Sequence, residues 1–155
     1  MNREPFEEIL TLFDSKGAEY QLIEHQPVIT SDEAEAIKKS DALGLKSLLF
    51  KTDNGYVLLV MPGAKKVSSK KARNHFRVSD VRMVSPEEVL TVMGCEVGGC
   101  YPVGEVCDVV TVVDSSVLEA GSVIFNVGRR DRSVEMKREE FQRTVTFEVA
   151  DLSKE

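Results

Sequence analysis

Residues 46–61 constrain the fold of this chain more than any other stretch. Lys46-Ser47-Leu48-Leu49-Phe50-Lys51-Thr52 and Tyr56-Val57-Leu58-Leu59-Val60-Met61 are two short, mostly apolar runs, and Asn54-Gly55 lies between them. Asn and Gly both tolerate positive φ, so the pattern predicts an antiparallel hairpin closed by a tight type I′ turn. Alternation of side chains along the first strand puts Lys46 on the face of Leu48 and Phe50. Removing an ammonium from water is costly unless something compensates it. Lys46 therefore either reaches solvent along its extended stem or is a cation placed to meet an electron-rich ligand group. The segment alone leaves both readings open.

The flanking sequence supplies the remaining elements. Phe6, Ile9, Leu10 and Phe13 recur at helical spacing, predicting an amphipathic helix over 5–16 that Gly17 stops. Residues 19–25 read as a strand, and Thr30 with Glu33 forms a capping-box pattern for a helix through residue 39. Pro62-Gly63-Ala64 ends the hairpin, and 68–76 reads as a short basic helix. Ser85 suits an N-cap, Pro86 the first helical position and Glu88 the matching box position, with Val84 and Val89 placed as a hydrophobic staple and Gly94 as the stop. Strands are expected over 107–113, 122–127, 132–136 and 144–149, with a helix over 137–142. Intermixed strands and helices with a hairpin predict an α+β (mixed α/β) fold: a mixed, largely antiparallel, barrel-like sheet with surrounding helices. The 155 residues read as a single domain, with no internal repeat and no dividing linker. Neither G-x-x-x-x-G-K-[ST] nor G-x-G-x-x-G occurs, which argues against a doubly wound nucleotide fold.

Charge and cysteine usage narrow the function classes. The net charge of −6 argues against indiscriminate polyanion binding, but its distribution is uneven. Residues 65–82 hold Lys65, Lys66, Lys70, Lys71, Arg73, Arg77 and Arg82 against Asp80 alone, a balance of +6 that leaves −12 for the rest. Such asymmetry suits a protein that meets phosphate on one side, although a solvated basic face has the same signature. Cys95, Cys100 and Cys107 are spaced C-x4-C-x6-C, with the nearest histidine, His75, 20 residues upstream of Cys95. That is not zinc spacing, so reduced packing thiols and no structural metal are expected. No apolar run approaches the roughly 18 residues of a membrane span, and the polar N-terminus lacks a secretory pattern. A cytoplasmic location is the expectation.

The second chemically suggestive stretch is Gly98-Gly99-Cys100-Tyr101-Pro102-Val103-Gly104. Adjacent glycines let backbone N–H groups approach a ligand unobstructed, and Pro102 stiffens the turn. Such N–H groups can hold a carbonyl oxygen or a developing oxyanion; a plain helix-to-strand connection has the same composition.

Taken in order, Lys46 at a strand start, the hairpin, the Pro62-Gly63 break, the basic stretch, Ser85-Pro86-Glu87-Glu88-Val89, Gly94 and the glycine loop resemble the YbaK/ProX-type aminoacyl-tRNA deacylases, a family that includes the editing domain inserted in bacterial prolyl-tRNA synthetases. The likeness extends to Glu24-His25-Gln26-Pro27-Val28 with Thr30 and to Val127-Gly128-Arg129-Arg130, covering residues 20–142. The resemblance implies a hydrolase acting in trans on the ester that joins a wrong amino acid to the 3′ end of tRNA, with a tRNA-Pro type substrate and no metal or cofactor. It implies that Lys46 is essential in the amino-acid pocket. His25, Thr30, Ser47, Gly98, Gly99, Cys100, Tyr101, Pro102, Gly104 and Gly128 then shape the substrate site. Lys65, Lys66, Lys70, Lys71, Arg129 and Arg130 are the candidates for tRNA phosphate.

No Ser/His/Asp triad is visible, so the nucleophile would be water or, as in cysteine-specific relatives, the substrate's own thiol. Expected partners are mischarged tRNA and an aminoacyl-tRNA synthetase, not DNA or a membrane. The chain departs from the family at Met93-Gly94-Cys95, where relatives often carry Thr-Gly-Tyr, and at Tyr101, where a smaller residue is frequent. Those departures and the acidic balance support an alternative, a non-catalytic tRNA- or synthetase-binding module of the same fold. A third reading is a hydrolase of another small activated ester or thioester.

Overall fold

Leu58, Leu59, Val60 and Met61 are fully shielded from solvent because the strand they form has side chains packed on both faces. In the computed structural model, which describes residues 4–27, 30 and 40–155, this strand is β3 (Gly55–Pro62). Burial on both faces is why it reads as a continuous apolar run rather than an alternating one. Its partner β2 (Leu43–Thr52) pairs antiparallel with it from Leu45↔Pro62 to Thr52↔Gly55. The hairpin is present, but its turn is not type I′. Thr52 and Gly55 pair directly, and of the turn residues only Gly55 has positive φ, at 118°. The Thr52 hydroxyl accepts from Asn54 N at 3.0 Å and donates to Gly55 O at 3.0 Å, which stabilises a turn that needs no positive φ at Asn54.

The other elements are α1 (Pro5–Ser15), β1 (Gln21–Glu24), α2 (Ser69–Phe76), β4 (Val81–Met83), α3 (Pro86–Met93), α4 (Gly104–Cys107), β5 (Val110–Asp114), a 3-10 turn (Ser115–Glu119), β6 (Ser122–Asn126), β7 (Arg132–Lys137), α5 (Arg138–Thr144) and β8 (Glu148–Ala150). The helix expected after Thr30 and Glu33 lies outside the described residues. The strands form one mixed sheet in the order β1-β7-β6-β2-β3-β5-β8, with β4 also on β2. The pairs β1/β7, β6/β7, β2/β3 and β2/β4 are antiparallel, whereas β2/β6, β3/β5 and β5/β8 are parallel. The path does not close into a barrel; β1 and β8 are its two ends.

Two apolar clusters flank the sheet. The larger gathers Ile9 and Phe13 of α1, Val89 and Met93 of α3, Leu45 and Leu49 of β2, Phe125 of β6 and Phe141 of α5. The smaller holds Phe50, Leu59, Met61, Ala72 and Leu152, with Leu48 packed against it. The faces of β2 thus follow strand alternation: Leu45, Ser47 and Leu49 one way, Lys46, Leu48 and Phe50 the other.

Candidate active site

The sheet divides beside Lys46. On the edge of β2 opposite β3, β6 pairs only at Leu43 and Gly44, and β4 only from Phe50 to Thr52. Between them residues 45–49 face no strand among the described residues. Counting on from the parallel pair Gly44↔Ile124, Lys46 is level with Asn126 and Leu48 with Gly128, but the two chains have separated. The turn that leaves β6 there is the one the glycine loop packs against.

Lys46 is half-buried, and its Nζ donates to the carbonyl oxygen of Lys65 in the segment following β3. Burial, then the nearby charge of Lys66, holds its pKa below the ordinary lysine value. An ammonium has three donors, so two remain beyond the Lys65 bond. Lys65 in turn lies near the buried carboxylate of Asp114, a residue the sequence reading passed over. Burial pushes Asp114 up, but hydrogen bonds outweigh it and leave its pKa low: Oδ2 accepts from the Ser116 hydroxyl and N–H, and Oδ1 from Leu152 N at 2.8 Å. The signal for it was Asp114-Ser115-Ser116 at a strand end, a side-chain cap for the 3-10 turn. Ser47, next to Lys46, is buried on the opposite face, and its hydroxyl has no hydrogen-bond partner among the described residues.

The glycine loop is fixed from both ends. Ser85 caps α3 by accepting from Glu88 N at 3.2 Å, and Gly94 ends the helix in the left-handed region at φ 69°. Gly98 has φ 97°, and Gly99 N donates to Glu96 O at 2.9 Å, closing a tight turn. Tyr101 has no exposed surface, and its hydroxyl donates to the Met93 carbonyl at 2.7 Å. It anchors the loop to the end of α3. Pro102 and Gly104 are buried as well. A Cβ at Gly104 would fall 2.0 Å from Thr111 Oγ1 and 2.1 Å from Val109 O, so glycine is sterically required there.

Contacts with the β6–β7 turn hold the loop from the other side. Gly128 N donates to Gly99 O at 2.9 Å, and a Cβ on Gly99 would meet the Arg129 backbone at 3.1–3.2 Å. Arg130 Nε donates to Val97 O at 2.7 Å, and its guanidinium pairs with Glu96 at 3.1 Å. His25 belongs to the same assembly. Its N–H donates to Asp131 O at 3.1 Å, Nδ1 lies 2.7 Å from Gln26 O, and Nε2 lies 2.7 Å from the buried Ser133 hydroxyl. Because a carbonyl only accepts, Nδ1 carries the proton, and in neutral His25 the Ser133 hydroxyl donates to Nε2.

The structure therefore brings His25, Gly98, Gly99, Cys100, Gly128, Arg129 and Arg130 together. Lys46 sits with Lys65 and Lys66, and no hydrogen bond joins the two groups among the described residues. Thr30 is exposed. Among the basic candidates, Lys65, Lys66 and Lys70 are exposed, while Lys71 pairs with Asp151 at 3.0 Å and donates to Ser153 O at 2.7 Å. Arg129 is committed to Asp131 through two bonds of 2.9 and 3.0 Å and lies over the Phe6 ring. Sequence reasoning missed Asp131 and Ser133 as supports of His25, since nothing local marks contacts made across about a hundred residues. No group of three His, Cys, Asp or Glu side chains is arranged to hold a metal ion among the described residues. Nor is any described helix long and apolar enough to cross a membrane.

Comparison with known proteins gives this arrangement a family. The sequence pattern of the aminoacyl-tRNA editing domain matches residues 25–144, from His25 through the end of α5. The chain is 41% identical over 76 residues to a proline–tRNA ligase of Geobacillus sp. (strain WCH70), an alignment that takes in 49% of this chain but only 13% of the ligase. It is similar in structure to the hypothetical protein APE2540, with a TM-score of 0.85 at 26% identity over 95% of this chain and 99% of that one. A crystal structure described as a candidate trans-editing enzyme for prolyl tRNA synthetase shares the fold at TM-score 0.83 and 21% identity, with 100% of both chains covered. With three-quarters of its length matched by that pattern, the chain belongs to the aminoacyl-tRNA editing domain family.

Proposed function

We propose that this protein is an aminoacyl-tRNA deacylase that acts in trans, hydrolysing the ester of a mischarged tRNA. The match to the editing-domain family over 25–144 carries this reading. Support for a tRNA-Pro type substrate comes from the proline–tRNA ligases among its relatives. The strand-free stretch of β2 is where we place the 3′ adenosine and its esterified amino acid. An aminoacyl ester is already activated, so the protein has to orient it, stabilise the tetrahedral oxyanion and admit a nucleophile.

In this reading Lys46 uses the two N–H donors not taken by Lys65 O to bind the ester or the adjacent ribose-phosphate end. The N–H groups of the glycine loop serve the carbonyl oxygen, except Gly99 N, which is bonded to Glu96 O. Gly98 N is therefore the donor of choice. One well-placed donor contributes on the order of 3 kcal/mol to such a transition state. The attacking group is water, or the substrate's thiol when the amino acid is cysteine. Lys65, Lys66 and Lys70 form the exposed basic edge that meets tRNA phosphate, as counterion release requires. The site of action is the cytoplasm, where charged tRNA is found.

The buried position of Tyr101 weakens the case for a binding-only module. Tyr101, one of the residues at which the chain departs from the family, is a core anchor here and so does not by itself obstruct a pocket. The test is a panel of mischarged tRNAs incubated with purified protein. Loss of amino acid faster than in buffer, abolished in Lys46→Ala, supports the deacylase; retention of charged tRNA without turnover selects the binding module.

A further inference from the structure

The carbonyl that holds Lys46 Nζ belongs to Lys65, which lies beyond the end of β3 at Pro62. Lys65 N donates to Pro62 O at 3.1 Å, closing the turn that leaves the strand. Residues 66–68 then run antiparallel to residues 152–154. Val67 bridges Ser153, Ser68 N donates to Leu152 O at 2.7 Å, and Lys154 N donates to Lys66 O at 2.9 Å. Successive carbonyls of an extended segment face opposite edges, so a Lys66 carbonyl fixed on Lys154 leaves the Lys65 carbonyl turned to Lys46. Residues 152–154 are anchored in their turn. The Leu152 side chain is fully buried in the smaller apolar cluster with Met61, the residue opposite Lys46 on β3. Leu152 N donates to Asp114 Oδ1 at 2.8 Å. Lys71 of α2 donates to Ser153 O at 2.7 Å and to the Asp151 carboxylate at 3.0 Å.

We infer that residues 151–154 are a positioning strap for Lys46, with Asp114 and Lys71 as its positioning residues: by pairing with residues 66–68 they fix the Lys65 carbonyl that holds the Lys46 ammonium. A lysine on a free stem loses rotamer freedom each time it meets a ligand, whereas one already tethered has lost it beforehand. One of the three ammonium donors serves as the tether, and the other two stay available to a substrate. None of these groups needs to touch the substrate. They act through Lys65 O, from segments 68 and more residues distant from Lys46 in sequence. The consequence for catalysis rests on the deacylase reading; the placement of Lys46 does not.

The test is Lys154→Pro, which deletes the N–H bonded to Lys66 O. The Lys154 side chain is exposed, and Ser153 before it sits in a β-bridge, a conformation that a following proline favours. Lys154→Ala keeps the N–H and is the control. The folded proteins, checked by circular dichroism, are treated with limiting acetic anhydride, and acetylation of Lys46 relative to exposed Lys70 is read by tandem mass spectrometry. Lys154→Pro should raise that ratio about 2–10-fold, as loss of one net hydrogen bond allows, and Lys154→Ala should leave it unchanged. In deacylation, Lys154→Pro should lower kcat about tenfold with KM little changed, the mark of a misplaced group. Should Lys154→Pro fail to fold, Lys71→Met, which frees Ser153 O, decides in the same way. An unchanged ratio in the folded variant, or an equal rise in Lys154→Ala, overturns the strap. A raised ratio with no deacylation by any of the proteins supports the strap and refutes the deacylase reading.

Discussion

Replacing Tyr101 with Phe removes one oxygen from the interior and isolates one contact. The hydroxyl donates at 2.7 Å to the carbonyl of Met93, the last residue of α3, and the side chain has no exposed surface. A C-terminal helix carbonyl has no intrahelical partner, so in Tyr101→Phe it is left buried and unbonded. That costs about 1–3 kcal/mol, against a hydrophobic packing term that barely changes. Tyr20→Phe is the control: its hydroxyl donates to Asp14 at 2.8 Å in an exposed setting, where water replaces the lost partner. Urea unfolding followed by circular dichroism should show a lower midpoint for Tyr101→Phe at an unchanged m-value, and a shift for Tyr20→Phe within about 0.5 kcal/mol of zero. In a chain of this size each kcal/mol corresponds to about 2–4 °C in Tm. Equal midpoints for the two variants would refute the idea that Tyr101 anchors the glycine loop through α3.

Other outcomes follow from the same structure. Gly104→Ala forces a Cβ to about half a normal contact distance from Thr111 Oγ1 and Val109 O; the variant should lose about 3 kcal/mol or fail to fold, and Thr111→Ala should not rescue it because the carbonyl clash persists. Hydrogen bonds from Arg143 and from Glu19 N depress the Glu140 carboxyl from 4.5 to about 2. Its contribution is therefore present above the unfolded value and lost as pH falls through the folded one, so acid unfolding of Glu140→Gln should be shallower between pH 4.5 and 2. Nuclear magnetic resonance titration of Lys46 should place its pKa below 10.5, moving back up in Lys66→Ala but not reaching 10.5, since burial is the larger cause. A titration at or above 10.5 in the wild type would contradict the half-buried placement.

What the sequence made legible was local. The capping box at Ser85 and Glu88 sits within four residues and was realised in full. The run from Tyr56 to Met61 marked one arm of a hairpin, and its apolar side chains at every position match the burial on both faces that the structure gives it. The face of Lys46 followed from alternation alone. The type I′ turn was misread because Asn-Gly chemistry is only permissive, and the Thr52 hydroxyl decided between two allowed turns. Strand β4 has three residues and exists through pairing with β2, and the strand expected from residue 107 begins only at Val110, because residues 104–107, read as loop and strand start, form a helical turn. The site was the least legible part. Gly128 on Gly99, Arg130 on Val97 and His25 on Ser133 each join segments distant in sequence, and only the folded topology brings them together.

The most direct test of function is single-turnover deacylation of a mischarged tRNA-Pro by the wild type and by Lys46→Ala, with folding of both confirmed by circular dichroism. The proposal predicts that the wild type clears at least one mischarged species faster than buffer and that the substitution lowers this rate on the order of 10²-fold, as loss of one transition-state donor does. Equal rates for the two proteins, or no release of amino acid from any species by the wild type, would contradict it.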